Sequence, residues 1–182
     1  MAAQPPAVDL NTPLPAFTLP DTSGAMRSSA ELMGKNGLLV VFICNHCPFV
    51  KTITPKLARD GHAVLELGVG MVAINSNDAV NYPQDAFEKM GPFAAEAGFP
   101  FPYLHDEDQT VARAFGAVCT PDFFGYNAQG LLQFRGRLDG SGMTGQEMSS
   151  ELVPAMAHLA ETGQGPEVQH ASMGCSIKWK TA

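Results

Sequence analysis

Val40-Val41-Phe42-Ile43-Cys44-Asn45-His46-Cys47-Pro48-Phe49-Val50-Lys51 is the stretch that decides how this chain is read. An apolar run of strand character, Leu38 to Ile43, stops at Cys44. A helical pattern follows at once, with Val50, Ile53, Leu57 and Val64 recurring on one face. Pro48 suits a first helical turn, whose N–H groups have no acceptor within the helix. Two cysteines separated by two residues therefore stand where a strand hands over to a helix. The start of a helix offers free backbone N–H groups and the positive end of the dipole, and both stabilise a thiolate. A Cys-x-x-Cys pair beside a strand–helix–strand pattern reads as a redox motif. Cys44 is the expected attacking thiolate and Cys47 the resolving thiol.

Outward from this stretch, Asn36-Gly37 is a turn into the first long strand, and the helix after Cys47 is expected to reach about Leu67. Pro55 inside it removes one N–H and predicts a kink. Val69 to Ile74 is the next strand, followed by the polar loop Asn75-Ser76-Asn77-Asp78. Ligands collect at such strand ends in α/β sheets, although Asn and Asp turns explain the loop equally well. Asp85 to Ala97 reads as a weaker helix interrupted at Gly91-Pro92, and Phe99 to Leu104 as an extended segment. Asp108 is the expected cap of a helix from Gln109 to about Phe115. Strands at Phe123–Tyr126 and Leu131–Leu138 flank a four-residue hairpin loop, and Gln146 to Glu161 has helical spacing with a bend at Pro154. Nearer the N-terminus, Phe17 to Leu19 is a short strand, and Ser28 with Glu31 makes a capping box. The order predicts an α/β fold with a central mixed sheet and helices on both faces.

The chain has 182 residues, enough for one well-buried core, and is expected to form a single domain over 1–182 with an N-terminal arm (1–15) and a C-terminal tail (164–182). Eighteen acidic against eleven basic residues, net −7, argue against nucleic acid as a partner. Met1 to Asn11 has neither a basic start nor an apolar run, so no secretory signal is expected. No stretch has the roughly 18 apolar residues of a membrane span. A cytoplasmic protein without membrane attachment is the expectation. Four cysteines in a chain of this size do not suggest a secreted disulfide scaffold, and cytosolic disulfides are usually transient and catalytic. His62, His105, His158 and His170 have no metal-like spacing, so no metal or cofactor is called for.

The segments Cys44–Lys51, Ala73–Asp78, Pro100–Leu104, Ala117–Phe124, Arg135–Asp139 and Gly174–Trp179 together resemble the thioredoxin superfamily. More narrowly they resemble its redoxin (AhpC/TSA-like) proteins with a Cys-Asn-His-Cys-Pro segment. The resemblance implies a thioredoxin-like fold with an N-terminal strand extension, and an oxidoreductase with a general redox or antioxidant role. It implies that Thr120-Pro121 is the superfamily's cis-proline loop, packed against the cysteine pair and holding an extended partner segment. Cys119 would then lie near Cys44 and Cys47. The chain departs from the family in two ways. No acidic residue precedes Cys44 on its strand, where thioredoxins bury a carboxylate for proton transfer. The peroxiredoxin pattern of Pro, three residues, Thr or Ser, two residues and Cys is also missing. Counting back from Cys47 meets Val40 and Cys44, and from Cys44 meets Gly37 and Val41.

His46 stands before the second cysteine, where it reads equally as a group that stabilises the reduced pair and makes its disulfide more oxidising or as a solvated histidine at a helix start. Cys119 reads as a buried cysteine before it reads as a third redox thiol. Cys175 lies on the tail, either folded back to resolve a mixed disulfide or simply packed. Arg135 and Arg137 alternate along a strand and read as surface charge before they read as groups facing the site. The leading function is thiol–disulfide exchange by Cys44 and Cys47, with a protein or small-molecule disulfide or thiol as partner and an unnamed electron donor. A peroxiredoxin-like peroxidase is the alternative. A soft-metal carrier using Cys44, Cys47 and either Cys119 or His46 ranks below both.

Overall fold

A computed structural model describes residues 2–6 and 9–181. The expected arm and tail reach Met1, Ala7, Val8 and Ala182, which lie outside the described residues. Ala2–Ala3 forms a short strand, β1, and a small hairpin pairs β2 (Thr18–Pro20) with β3 (Met26–Ser28). The Ser28 cap is present: helix α1 (Ser29–Leu32) starts with the Ser28 hydroxyl accepting from the Glu31 N–H, while the Glu31 carboxylate meets that hydroxyl and not the Ser28 N–H. Strand β4 (Leu38–Phe42) then enters the middle of the molecule, and helix α2 (Pro48–Glu66) leaves it. Pro55 sits inside α2, which runs on past the missing N–H.

The central sheet has the order β6-β5-β4-β8-β9, with β5 at Gly70–Asn75, β6 at Tyr103–His105, β8 at Asp122–Tyr126 and β9 at Leu132–Gly136. β4, β5 and β6 are parallel, and β8 and β9 add antiparallel strands at the other side. This is the mixed thioredoxin-like sheet. β4 is its middle strand and is covered on both faces, which is why its run is apolar throughout rather than alternating. Leu39, Val41 and Ile43 pack with α2, while Leu38, Val40 and Phe42 pack on the other face with Phe115 and Phe124. Each such buried side chain contributes about 1.5–3 kcal/mol.

Helix α3 is found at Phe87–Ala97, after a 3₁₀ turn at Pro83–Asp85, and Gly91-Pro92 does not interrupt it. Proline there removes one hydrogen bond, which the packing of Met90 outweighs. Helix α4 (Thr110–Phe115) is capped otherwise than expected. Asp108 accepts from Thr110 N, but Gln109 takes the cap position with φ 64°, and the buried Asp106 carboxylate receives Val111 N and Ala112 N. Helix α5 (Leu152–Thr162) begins later than its apolar spacing suggests. Pro154 falls in its first turn, the one place where a proline costs no hydrogen bond, so the helix begins just ahead of it instead of bending around it. The tail returns as β10 (Gly174–Ser176), between β1 and the two-residue strand β7 (Cys119–Thr120).

Candidate active site

Cys44 and Cys47 lie where β4 ends and α2 begins, with Cys47 in the N-cap position and Pro48 as the first helical residue. Their thiols are within hydrogen-bonding reach of each other. The Thr120–Pro121 peptide is cis, and it faces the pair: Cys44 Sγ is 3.4 Å from Thr120 Oγ1, and the Cys47 thiol donates to Thr120 O at 3.2 Å. Both sulfurs are enclosed, with Cys44 1% and Cys47 0% exposed.

The two sulfurs have unequal surroundings. Cys47 is reached by the Cys44 thiol, the Cys175 thiol and the backbone N–H groups of Val50 and Cys175, and these donors pull its pKa down. Cys44 is pushed up, first by its partner Cys47, then by burial and by the nearby Asp85 carboxylate. These neighbours favour the thiolate at Cys47 over Cys44, while the bond to Thr120 O engages the Cys47 thiol in its protonated form. Dipole and N–H groups act most strongly at the cap position itself, and Cys47 occupies it.

Sequence reasoning missed the group that organises this junction. Asp85, fully buried in the 3₁₀ turn, accepts the N–H groups of Asn45 at 2.8 Å and His46 at 3.2 Å through Oδ1. Its Oδ2 meets His46 Nδ1 at 2.6 Å and Asn77 Nδ2 at 2.7 Å. Asn75 Nδ2 donates to the Asp85 carbonyl, and Tyr103 donates its hydroxyl to Asn45 Oδ1. The loop Asn75–Asp78 thus braces the Cys-x-x-Cys turn. Nothing in the neighbours of Asp85 along the chain marks it. Asp85 also supplies the buried carboxylate absent from β4, brought from a different element.

His46 stacks on Tyr82 with ring centroids 5.7 Å apart and turns its Nδ1 to Asp85. A nitrogen of His46, Cys44 Sγ and an Asp85 oxygen lie within 4.8 Å of one another, a group that could hold a metal ion. Asp85 would have to release donors to do so. Cys119 is buried beside Pro121, its thiol directed at the Pro121 carbonyl at 3.6 Å, and burial pushes it up. Cys175 is brought in: β10 pairs Cys175 with Thr120. The strand edge beside the cis-proline loop, expected to hold a partner segment, is filled by the chain's own tail. Arg135 is not surface charge. It is buried, binds Asp122 Oδ2 at 2.8 Å and lies 4.5 Å over the Phe124 ring. Arg137 pairs with Glu151 at the surface, as alternation suggests. A cleft of about 110 Å³ lined by Phe49, Ile53, Pro121, Leu138 and Met173 adjoins the site, whereas a larger cleft, about 790 Å³, lies away from the thiols around Asn11, Gln133 and Gly165.

Residues 10–136 match the AhpC/TSA family. The chain belongs to that family. It is a thiol-based oxidoreductase with a thioredoxin-like fold. This AhpC/TSA family member is 40% identical to an uncharacterized conserved protein from Geobacillus kaustophilus, whose crystal structure superposes with a TM-score of 0.94 over 100% of this chain and 98% of that one. A hypothetical protein from Sinorhizobium meliloti 1021 is 37% identical, with a TM-score of 0.92 over 98% and 99% of the two chains. "Putative peroxiredoxin Rv2521" of Mycobacterium tuberculosis (strain ATCC 25618 / H37Rv) is 28% identical over 147 residues, 81% of this chain and 87% of its own. No helix among the described residues is long and apolar enough to cross a membrane.

Proposed function

We propose that Cys44 and Cys47 form a reversible disulfide and exchange two electrons with the disulfide or thiols of a protein or small-molecule partner. The observation that carries this reading is the contact of two thiols at a helix N-cap, with donors aimed at Cys47. The Cys47 thiolate attacks a partner disulfide sulfur, which releases one partner thiolate and leaves a mixed disulfide. Cys44 then gives up its proton and attacks the Cys47 sulfur, which frees the second partner thiolate. Asp85 and His46 lie within reach of Cys44 and take that proton, so both partner sulfurs leave as thiols once protonated from solvent and from this dyad. Four cysteines without scaffold-like spacing support a cytoplasmic setting.

Insulin reduction driven by dithiothreitol tests the reading. Wild type accelerates precipitation and Cys44→Ser does not; equal rates would reject the pair as the exchanging group. The name of the Mycobacterium tuberculosis relative supports peroxide as a second oxidant class. The site supports it less, because Arg135 and Arg137 are turned to Asp122 and Glu151 and not to the sulfurs. Peroxide consumption coupled to a dithiol separates the two.

A further inference from the structure

The sulfurs of the Cys44–Cys47 pair are enclosed, and part of what encloses them is β10. This strand is built into the site. Gly174 crosses so close to the cis-proline loop that a Cβ there would stand 2.0 Å from Thr120 O. Ile177 N donates to Val118 O, Lys178 N to Asn77 Oδ1, and the Lys178 carbonyl accepts from Asp78 N and Gln109 Nε2. The tail therefore holds Cys175 in register opposite Thr120, with its thiol and its backbone N–H both reaching Cys47. Three thiols make a row with Cys47 in the middle. Cys175 is the partly buried one, whereas Cys44, Cys47 and Cys119 are buried.

We propose that Cys175 is a third redox thiol that carries the disulfide from the buried Cys44–Cys47 pair to the surface, where an external thiol reduces it. The inference rests on the reversible pair proposed above. In the first step Cys175 loses its proton and its sulfur attacks Cys47 Sγ in the oxidised pair. The Cys44–Cys47 bond breaks, a Cys47–Cys175 bond forms, and Cys44 leaves as thiolate and takes up a proton. No oxidant is consumed, because one disulfide replaces another. In the second step an external thiolate attacks Cys175 Sγ and Cys47 leaves as thiolate. A second external thiol releases its oxidised partner and restores the Cys175 thiol, so two electrons have entered the protein. The surroundings favour the second step, in which Cys47 leaves; in the first, Cys44 must be protonated as it departs, because its site disfavours the thiolate. Cys47 is the sulfur best stabilised as a leaving group, and part of what pushes the Cys175 thiol up is negative charge on Cys47, which is absent once the pair is oxidised.

The test maps disulfides in full-length protein oxidised with one equivalent of diamide, blocked with N-ethylmaleimide in acid and digested without reductant. Wild type is expected to yield both Cys44–Cys47 and Cys47–Cys175 linked peptides, and Cys44→Ser to yield Cys47–Cys175 alone. Oxidised Cys175→Ala is expected to be reduced more slowly than wild type by glutathione. Absence of the Cys47–Cys175 peptide from wild type and Cys44→Ser, with Cys44–Cys47 formed normally, overturns the relay and leaves the pair's role standing. Reduction of Cys175→Ala as fast as or faster than wild type also overturns it, since the tail would then only be a cover. Failure of Cys44–Cys47 to form in wild type removes the pair itself and the relay with it. The wild-type mapping needs no variant to fold.

Discussion

Replacing Arg135 with Met should destabilise the protein strongly at pH 8 and weakly at pH 5. The guanidinium is 5% exposed and the Asp122 carboxylate 0% exposed, with Nη2–Oδ2 at 2.8 Å and a second donation from Nη2 to Gly116 O at 2.9 Å. Removing one partner of such a pair strands a buried charge, which costs about 3–5 kcal/mol. That cost applies only while Asp122 is ionised. Burial already pushes its carboxyl up to about 6, against the pull of Arg135. A carboxyl whose folded value lies above its unfolded value adds stability below the unfolded value, and the contribution fades as pH rises through the folded one. In wild type that window runs from 3.8 to about 6. Loss of Arg135 raises the folded value further and extends the window upward. At pH 5 the variant therefore carries a neutral carboxyl and loses only hydrogen bonds and the contact with Phe124, about 1–2 kcal/mol. Urea unfolding followed by circular dichroism at both pH values gives the two differences. Asp122→Asn added to Arg135→Met should restore much of the loss at pH 8. A loss equal at the two pH values, or below about 1 kcal/mol at pH 8, would refute the reasoning.

Gly174→Ala places its Cβ 2.0 Å from Thr120 O and 2.5 Å from Thr120 C, so β10 must lift from β7. Maleimide should then label Cys47 faster than in wild type, and unchanged labelling would mean that the tail does not shield the pair. Asp85→Asn keeps an acceptor for the Asn45 and His46 N–H groups but turns an amide donor toward Asn77 Nδ2. A loss of about 1–3 kcal/mol in urea unfolding is expected, together with a lowered Cys44 pKa from removal of the facing charge, read by thiolate absorbance. His46→Ala leaves the Asp85 charge beside Cys44 without its 2.6 Å partner. The reduction potential of the pair should fall by on the order of 30 mV, measured against glutathione buffers. An unchanged potential would remove His46 from the site's electrostatics.

Local chemistry was legible in the chain itself. The uninterrupted apolar run Leu38–Ile43, the Cys-x-x-Cys turn, Pro48 and the helical spacing after it announce a buried central strand feeding a helix. The hairpin at Asn127–Gly130 and the N-cap at Ser28 are equally short-range, because each depends on residues a few positions apart. Prolines were harder to place. Pro92 and Pro154 mark what a helix must tolerate, but whether it runs through or starts there depends on what its apolar side packs against.

The working parts of the site come from segments far apart in sequence, and only the fold brings them together. Asp85 reaches the cysteine turn from a 3₁₀ turn on another connection. Arg135 reads as a surface residue on an alternating strand until Asp122 from the neighbouring strand is seen to hold it inside. Cys175 meets Cys47 because Gly174 lets β10 lie against the cis-proline loop. Periodicity and propensity report energies that act between near neighbours, so they set strands, helices and the position of the first two thiols. Burial of a charge, and the meeting of a third thiol with the first two, depend on long-range packing that no local pattern encodes.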